Sequence, residues 1–149
     1  MKANKSPLIL NNFFLLNHQY NIVQPEEGVE IEELINNYYL DIDFSFQESE
    51  ENVIQLFTKI GINNIETPNP GYSLFVEGVC VFSFNKSVKL TTKEESNLLH
   101  FSGLNIIINS LRNILANTTV NSPFGKYILP SIDVNKLLSD KQKNNTKSD

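Results

Sequence analysis

Ten residues, YYLDIDFSFQ (38–47), constrain the fold more than any other stretch of this chain. Tyr38, Leu40, Ile42, Phe44 and Phe46 alternate with Tyr39, Asp41, Asp43, Ser45 and Gln47. An extended backbone sends successive side chains to opposite sides, so the first set makes a dry face and the second a wet one. A helix would scatter the same residues around its circumference. The segment therefore predicts a half-buried strand in an antiparallel sheet whose one face is covered.

Three more strands are expected around it. Leu8 to Val23 is rich in Phe, Leu, Tyr and Ile and is stopped by Pro25, which suits a long first strand. QPEEGVEIEEL (24–34) follows as an acidic connection, whose glutamates are either solvated surface or a docking patch for a basic partner. After the polar turn ESEEN, VIQLFTKIGI (53–62) places Ile54, Leu56, Ile60 and Ile62 in one register. NNIETPNPG then breaks the chain, and GYSLFVEGVCVFSF (71–84) supplies a fourth strand. Its apolar residues fall on both faces, at Phe75, Val79 and Val81, so this strand is central or one of its faces meets a partner.

Beyond Asn85 the period changes. Thr92 and Glu95 have capping-box spacing, which predicts a short helix ending near Gly103. A second helix starts at about Ser102, with Leu104, Ile107, Ile108, Leu111, Ile114, Leu115 and Thr118 recurring every three or four residues. Asn105, Asn109, Arg112, Asn113 and Asn117 occupy its other side. Asparagine is a weak helix former, and an amide-rich face suits a polar protein contact as well as it suits chance composition. Four strands followed by helices, with hairpin-length connections, make an α+β domain: a four-stranded antiparallel sheet packed against a long C-terminal helix with short flanking helices. The domain should span 1–138. SDKQKNNTKSD (139–149) lacks any apolar residue and is expected to be a disordered tail.

Chemistry is conspicuous by its absence. Cys80 is the only cysteine, so no internal disulfide forms, and a buried thiol is expected. His18 and His100 lack partners at metal-ligand spacing, and the six glycines form no phosphate-cradling pattern, so neither metal nor nucleotide cofactor is implied. Asp41 and Asp43 share a wet strand face, where alternate acids are ordinarily solvated surface and not an acid/base pair. A net charge of −5 disfavours nucleic acid and anionic membranes, both of which need a basic face. With 40% apolar residues, ten Phe and five Tyr, the chain is too aromatic to be disordered. The apolar N-terminal run is interrupted by asparagines and no cleavage site follows, so the expected location is cytoplasmic and the expected role is binding, not catalysis.

What remains to be explained is RNILANTTVNSPFGKYILPSIDVNKLL (112–138), a helix end followed by a greasy, proline-marked arm and another helical turn. This stretch resembles the C-terminal half of SecB, the protein-export chaperone, and its SecB-like relatives. Arg112 matches an Arg midway along that family's long helix. Ile128, Leu129, Pro130, Ile132 and Asp133 are similar to its L-x-L-x-P-[VI]-[ND] segment. Leu40, Asp41, Ile42 and Asp43 look like the Leu-Asp-Leu-Asp of its second strand, and Glu77, seven residues before Phe84, fits its fourth. The resemblance covers about residues 8 to 138 in order.

The resemblance implies an ATP-independent chaperone that holds unfolded preproteins in an apolar groove for export. Leu40, Ile42 and Phe44 would line it together with Phe124, Tyr127, Leu129 and Leu137 of the arm; the alternative is that Tyr127, Leu129 and Leu137 simply close the core. It also implies a homotetramer, a dimer of dimers, with Asn105, Asn109, Arg112 and Asn113 at the interface. Docking on the translocation ATPase SecA would involve Glu77, but Tyr20 and Val23 stand near positions where the family carries docking acids, and Asn113 replaces the Glu that follows its Arg. A dedicated chaperone of an antitoxin is the alternative this departure raises. A specific module of immunity type and a small-ligand carrier are two further readings of the same sheet-and-helix architecture.

Overall fold

The computed structural model describes residues 1–50 and 52–146. Strands β1 (Leu8–Val23), β2 (Leu40–Glu50), β3 (Val53–Ile62) and β4 (Gly71–Phe84) form one antiparallel sheet in the order β1-β4-β3-β2. The doubly apolar strand, β4, is central, flanked by β1 and β3. Helices α1 (Ile31–Asn36), α2 (Thr92–Asn97), α3 (Leu104–Thr119) and α4 (Val134–Thr146) complete the α+β fold.

One sheet face is buried by the helices. Leu56, Ile60 and Ile62 of β3 and Tyr72, Leu74, Val76 and Phe82 of β4 meet Leu104, Ile107, Leu111 and Leu115 of α3, and all are sealed from solvent. Each such side chain contributes roughly 1.5 to 3 kcal/mol of burial free energy. Cys80 lies in this core, where burial raises its thiol pKa to about 11, so the thiol stays protonated and inert. The other face is uncovered. There Asn17, Glu77, Lys59 and Asp43 stand in register across all four strands, and Lys59 Nζ lies 3.7 Å from Asp43.

Four local expectations need correction. The capping box is one residue earlier: Thr91 Oγ1 accepts from the Glu94 amide at 3.3 Å, and the Glu94 carboxylate accepts from the Thr91 amide at 2.8 Å. TTKEE contains two pairs at the same spacing, and only the backbone, extended at Thr91, chooses between them. Gly103 does not end a helix. Its φ and ψ of −59° and −50° are helical, and it lies against Phe82 and Leu56. The chain runs from α2 through a π-helical turn (Leu98–Gly103) into α3 without a break. The acidic connection contains α1, whose Leu34 and Ile35 rest on the core. Finally, residues 139–146, expected to be disordered, continue α4; residues 147–149 lie outside the described residues. The first turn of α4 is anchored by buried Val134 and by Asp133, whose carboxylate accepts from the Lys136 amide at 3.0 Å, so the polar residues that follow need no core of their own.

Candidate polypeptide-binding groove

The proline-marked arm is locked onto α3 and β4. Arg112 donates from Nε to the Leu129 carbonyl at 2.9 Å and from Nη2 to the Pro130 carbonyl at 3.0 Å, and Nη1 donates to the Asn109 side chain. These bonds satisfy two carbonyls of a segment that has no ladder partner. The Tyr127 amide donates to Thr119 Oγ1 at 2.7 Å, and the Tyr72 hydroxyl donates to the Gly125 carbonyl at 2.5 Å. Tyr127 stacks on Tyr38 with ring centroids 6.4 Å apart, and Phe124 meets Tyr72 at 5.6 Å. Burial pushes the Tyr127 hydroxyl up to about 12, with Tyr38 adding to the effect.

The groove residues proposed from sequence thus divide. Tyr127 and Leu129 are only 5% and 1% exposed, and Phe44 only 6%; these three close the core and form the wall beneath any occupant. Leu40, Ile42, Phe124 and Leu137 are half-buried and lie at the surface of that wall. Ile128, between two buried neighbours in the arm, turns outward and is 62% exposed.

Separate cavities follow β2 from end to end. About 270 Å³ lies beside Tyr38, Leu40, Tyr127 and Ile128. Further along, about 370 Å³ wraps the β2 edge, bounded by Asp41, Asp43 and Lys59 of the open face as well as by Ile42, Phe44 and Leu137, and about 340 Å³ lies beside Phe46, His100 and Leu138. The largest, about 820 Å³, is bounded by Phe46, Glu48 and Ile54 of the β2–β3 hairpin, Phe84, and Leu99 and His100 of the π-helical turn. At about 3.3 Å per residue, the row from Tyr38 to Glu48 spans on the order of 30 Å, enough for an extended segment of about ten residues.

Helix α4 crosses this row. Lys141 Nζ lies 2.5 Å from Asp43 Oδ1 and 5.6 Å from the centroid of the Phe44 ring, while Leu137 and Leu138 rest against the core. Burial acts to raise the Asp43 pKa, but the Lys141 and Phe44 amide hydrogen bonds, with the charges of Lys141 and Lys59, outweigh it and hold the carboxyl below its ordinary value. Asp43 is thereby a latch for α4. At the Tyr38 end the floor is rigid: the Tyr38 hydroxyl donates to the Pro70 carbonyl and accepts from the Tyr72 amide, at 2.7 and 2.8 Å. Gly71, at φ +110°, passes so close to this hydroxyl that any side chain would collide with it.

The remaining sequence candidates lie elsewhere. Asn105, Asn109 and Asn113 are exposed on the outer side of α3, but Arg112 is committed to the arm. Glu77 is on the open sheet face, opposite Lys59 and Asn17. Sequence reasoning missed Leu99 and His100, which the π-helical turn places beside Phe46, and Leu10, Phe14, Leu15 and Leu16 of β1, which are exposed. A signal for the latter was present, since β1 carries apolar residues at both parities. Among the described residues, no group of three or more His, Cys, Asp and Glu is placed to hold a metal ion, and no helix is long and apolar enough to cross a membrane.

This architecture has a solved counterpart. The SecB-like chaperone Rv1957 of Mycobacterium tuberculosis, determined with a ChAD peptide from the HigA1 antitoxin Rv1956, superposes with a TM-score of 0.60 at 12% identity, over 85% of this chain and 91% of that one. The fold is SecB-like. A protein of unknown function from Streptococcus agalactiae also aligns, with a TM-score of 0.45 and 10% identity over 84% of this chain and 97% of the other. No family model matches the sequence, and neither does any curated protein. At such identity the SecB-like likeness speaks for backbone architecture, and the side chains above must carry the functional argument.

Proposed function

We propose that this chain is an ATP-independent SecB-like chaperone that holds a segment of non-native polypeptide along the covered side of β2, and that its client is a dedicated partner of antitoxin type. The observation that carries the reading is the succession of cavities along β2 from Tyr38 to Glu48, crossed by α4 and lined in part by half-buried apolar side chains. The similarity of fold to a chaperone solved with an antitoxin peptide supports the dedicated client over general export. Fixing each client residue costs about 1 to 2 kcal/mol, so a single side chain in a pocket cannot hold a chain, whereas a ten-residue groove can. Recognition by apolar contact favours the unfolded client, because only there are such side chains accessible.

Assembly into a cytoplasmic tetramer is part of this proposal, since linked grooves raise avidity without new contacts. SecA docking should be weak. Tyr20 stands near the positions where SecB carries docking acids and shares a 2.6 Å hydrogen bond with Ser122, and Glu77 is flanked by the Lys59 and Asn17 positions. The decisive experiment measures suppression of aggregation for several unrelated unfolded proteins beside binding of one antitoxin-type peptide. Tight binding of the peptide with weak general holding is expected. Failure to bind any unfolded chain would remove the chaperone reading.

A further inference from the structure

The two middle cavities along β2 are separated by α4 itself. Phe44, Lys141 and Asn145 line both the 370 Å³ space and the 340 Å³ space. The partition is therefore the second half of α4, laid over the Phe44 ring with Lys141 Nζ at Asp43. A segment extended along β2 cannot fill both spaces while that partition stands. The two halves of α4 are held differently. Val134 is buried, and Leu137 and Leu138 rest against the core. From Ser139 to Asn145 no residue is apolar; Lys141 is half-buried and the rest are exposed. Ser, Asp and Asn are weak helix formers, and so short a stretch has no helical stability of its own in water. Its helical state depends on continuing from residues 134–138 and on its contact with β2. Asp43 is itself fixed to the strand, because its Oδ1 accepts from the Phe44 amide at 2.9 Å as well as from Lys141.

We propose that residues 139–146 are an autoinhibitory gate that a client opens by unwinding it. The bound segment takes the place of Lys141 and Asn145 over Phe44, and the polar half of α4 passes from helix to coil. Val134, Leu137 and Leu138 keep the first half of the helix in place throughout. The inference rests on the proposed chaperone reading and adds its regulation. The composition of 139–146 is that of the released state, and its helical backbone that of the closed one. A client segment loses backbone freedom on being fixed, and the gate regains it on release, so part of the ordering cost is offset within one complex. The exchange also discriminates: a polar segment gains no apolar burial by replacing the gate, whereas an apolar one covers the Phe44 ring.

The test titrates the full, isotope-labelled chain with two probes, a ten-residue peptide of alternating leucine and serine and reduced, carboxymethylated α-lactalbumin as an unfolded protein. At saturation with whichever probe binds, the backbone carbon shifts of 140–146 should move to coil values while those of 135–138 stay helical. Affinity should rise about two- to threefold in Lys141→Ala and in Asp43→Asn, the scale of a partly exposed ion pair. Ser139→Ala strengthens the helix at an exposed position, so affinity should fall about twofold. The opposite signs separate a gate from a general loss of structure, which would lower affinity in every variant. A chain whose residues 140–146 stay helical at saturation, or whose affinity does not rise in Lys141→Ala, overturns the gate and leaves the chaperone reading standing. Failure of both the unmodified chain and Lys141→Ala to bind either probe overturns both.

Discussion

The two edges of the sheet are built oppositely. The ten residues 38–47, which lead into and through most of β2, alternate cleanly, and the covered side is overlaid by the arm and by α4. β1 alternates only in pieces, and Phe14 on it is 52% exposed, with Leu10, Leu15 and Leu16 nearly as open. One edge lines the candidate groove, and the other, a strand of 16 residues, leaves those apolar side chains exposed. Natural sheets protect a long apolar edge by covering it or by charge. β1 carries no charged residue between Leu8 and Val23, so a second copy of the chain is its expected cover, and under the proposed function β2 is left for the client.

The sharpest way to break this contrast is to remove the same ring from each edge. Phe44→Ala should cost about 3 to 5 kcal/mol, because the ring is buried beneath α4, whereas Phe14→Ala should cost under about 1 kcal/mol. Urea denaturation of the two variants measures the difference. Equal losses would mean that β1 is covered within the protomer.

Next in size is the clamp that holds the arm beside β2. Arg112→Ala leaves the Leu129 and Pro130 carbonyls without their donor and should destabilise the fold by about 1.5 to 3 kcal/mol. Hydrogen exchange should accelerate at Tyr127 and its arm neighbours and stay unchanged at the centre of β4. If Arg112 served an interface between copies instead, the loss would depend on protein concentration.

On the β1 side, Leu15→Lys should weaken self-association about tenfold or more, read by sedimentation, because a cation at an edge strand opposes pairing. Binding of an extended client peptide per protomer should persist, separating the two edges functionally. A variant that loses peptide binding and self-association together would show that the groove is completed by the second copy.

The smallest effect concerns the α4 latch. The Asp43 carboxyl titrates below its ordinary value in the folded chain, so its stabilising contribution is present above the unfolded-state pKa and is lost as pH falls through the folded one. α4 should therefore loosen only under acid conditions, below about pH 4. Client binding should rise slightly there if α4 competes for the groove. Asp43→Asn should reproduce this loosening at neutral pH. Because Asp43 and Lys141 are both partly exposed, the change in overall stability should be slight.

How much of this could be read from the residues differs along the chain. The alternations of 38–47 and 53–62 and the three-and-four spacing of 104–115 specified β2, β3 and α3, because local geometry ties each period to one backbone conformation, and the β-branched and aromatic density of 71–84 specified β4. The burial of Tyr38 and Phe44 was legible for a related reason: both lie on the dry side of such a pattern. In β1 the pattern failed, since bulges between Leu10 and Asn12 and between Leu15 and Asn17 each shift the register by one residue. Without those bulges the later side chains would change faces, and nothing in LILNNFFLLN states where they fall.

Periodicity and composition by themselves determined an α+β chain with one covered sheet face and narrowed β4 to a central strand or one with a face that meets a partner. The tertiary structure decided the rest. Gly103 reads as a helix stop but is a site of close packing, because Phe82 and Leu56 arrive from strands distant in sequence. Arg112 reads as surface but clamps the arm, because its carbonyl partners come 17 and 18 residues later. SDKQKNNT reads as disorder but is helical as far as residue 146, because Val134, Leu137 and Leu138 hold the start of α4 against the core. Each of these depends on which distant segment comes alongside, a quantity that no window of neighbouring residues contains. The cavities along β2 are the clearest instance: β2 lines them in sequence, but their other walls are an arm and two helical segments brought to it only by the fold.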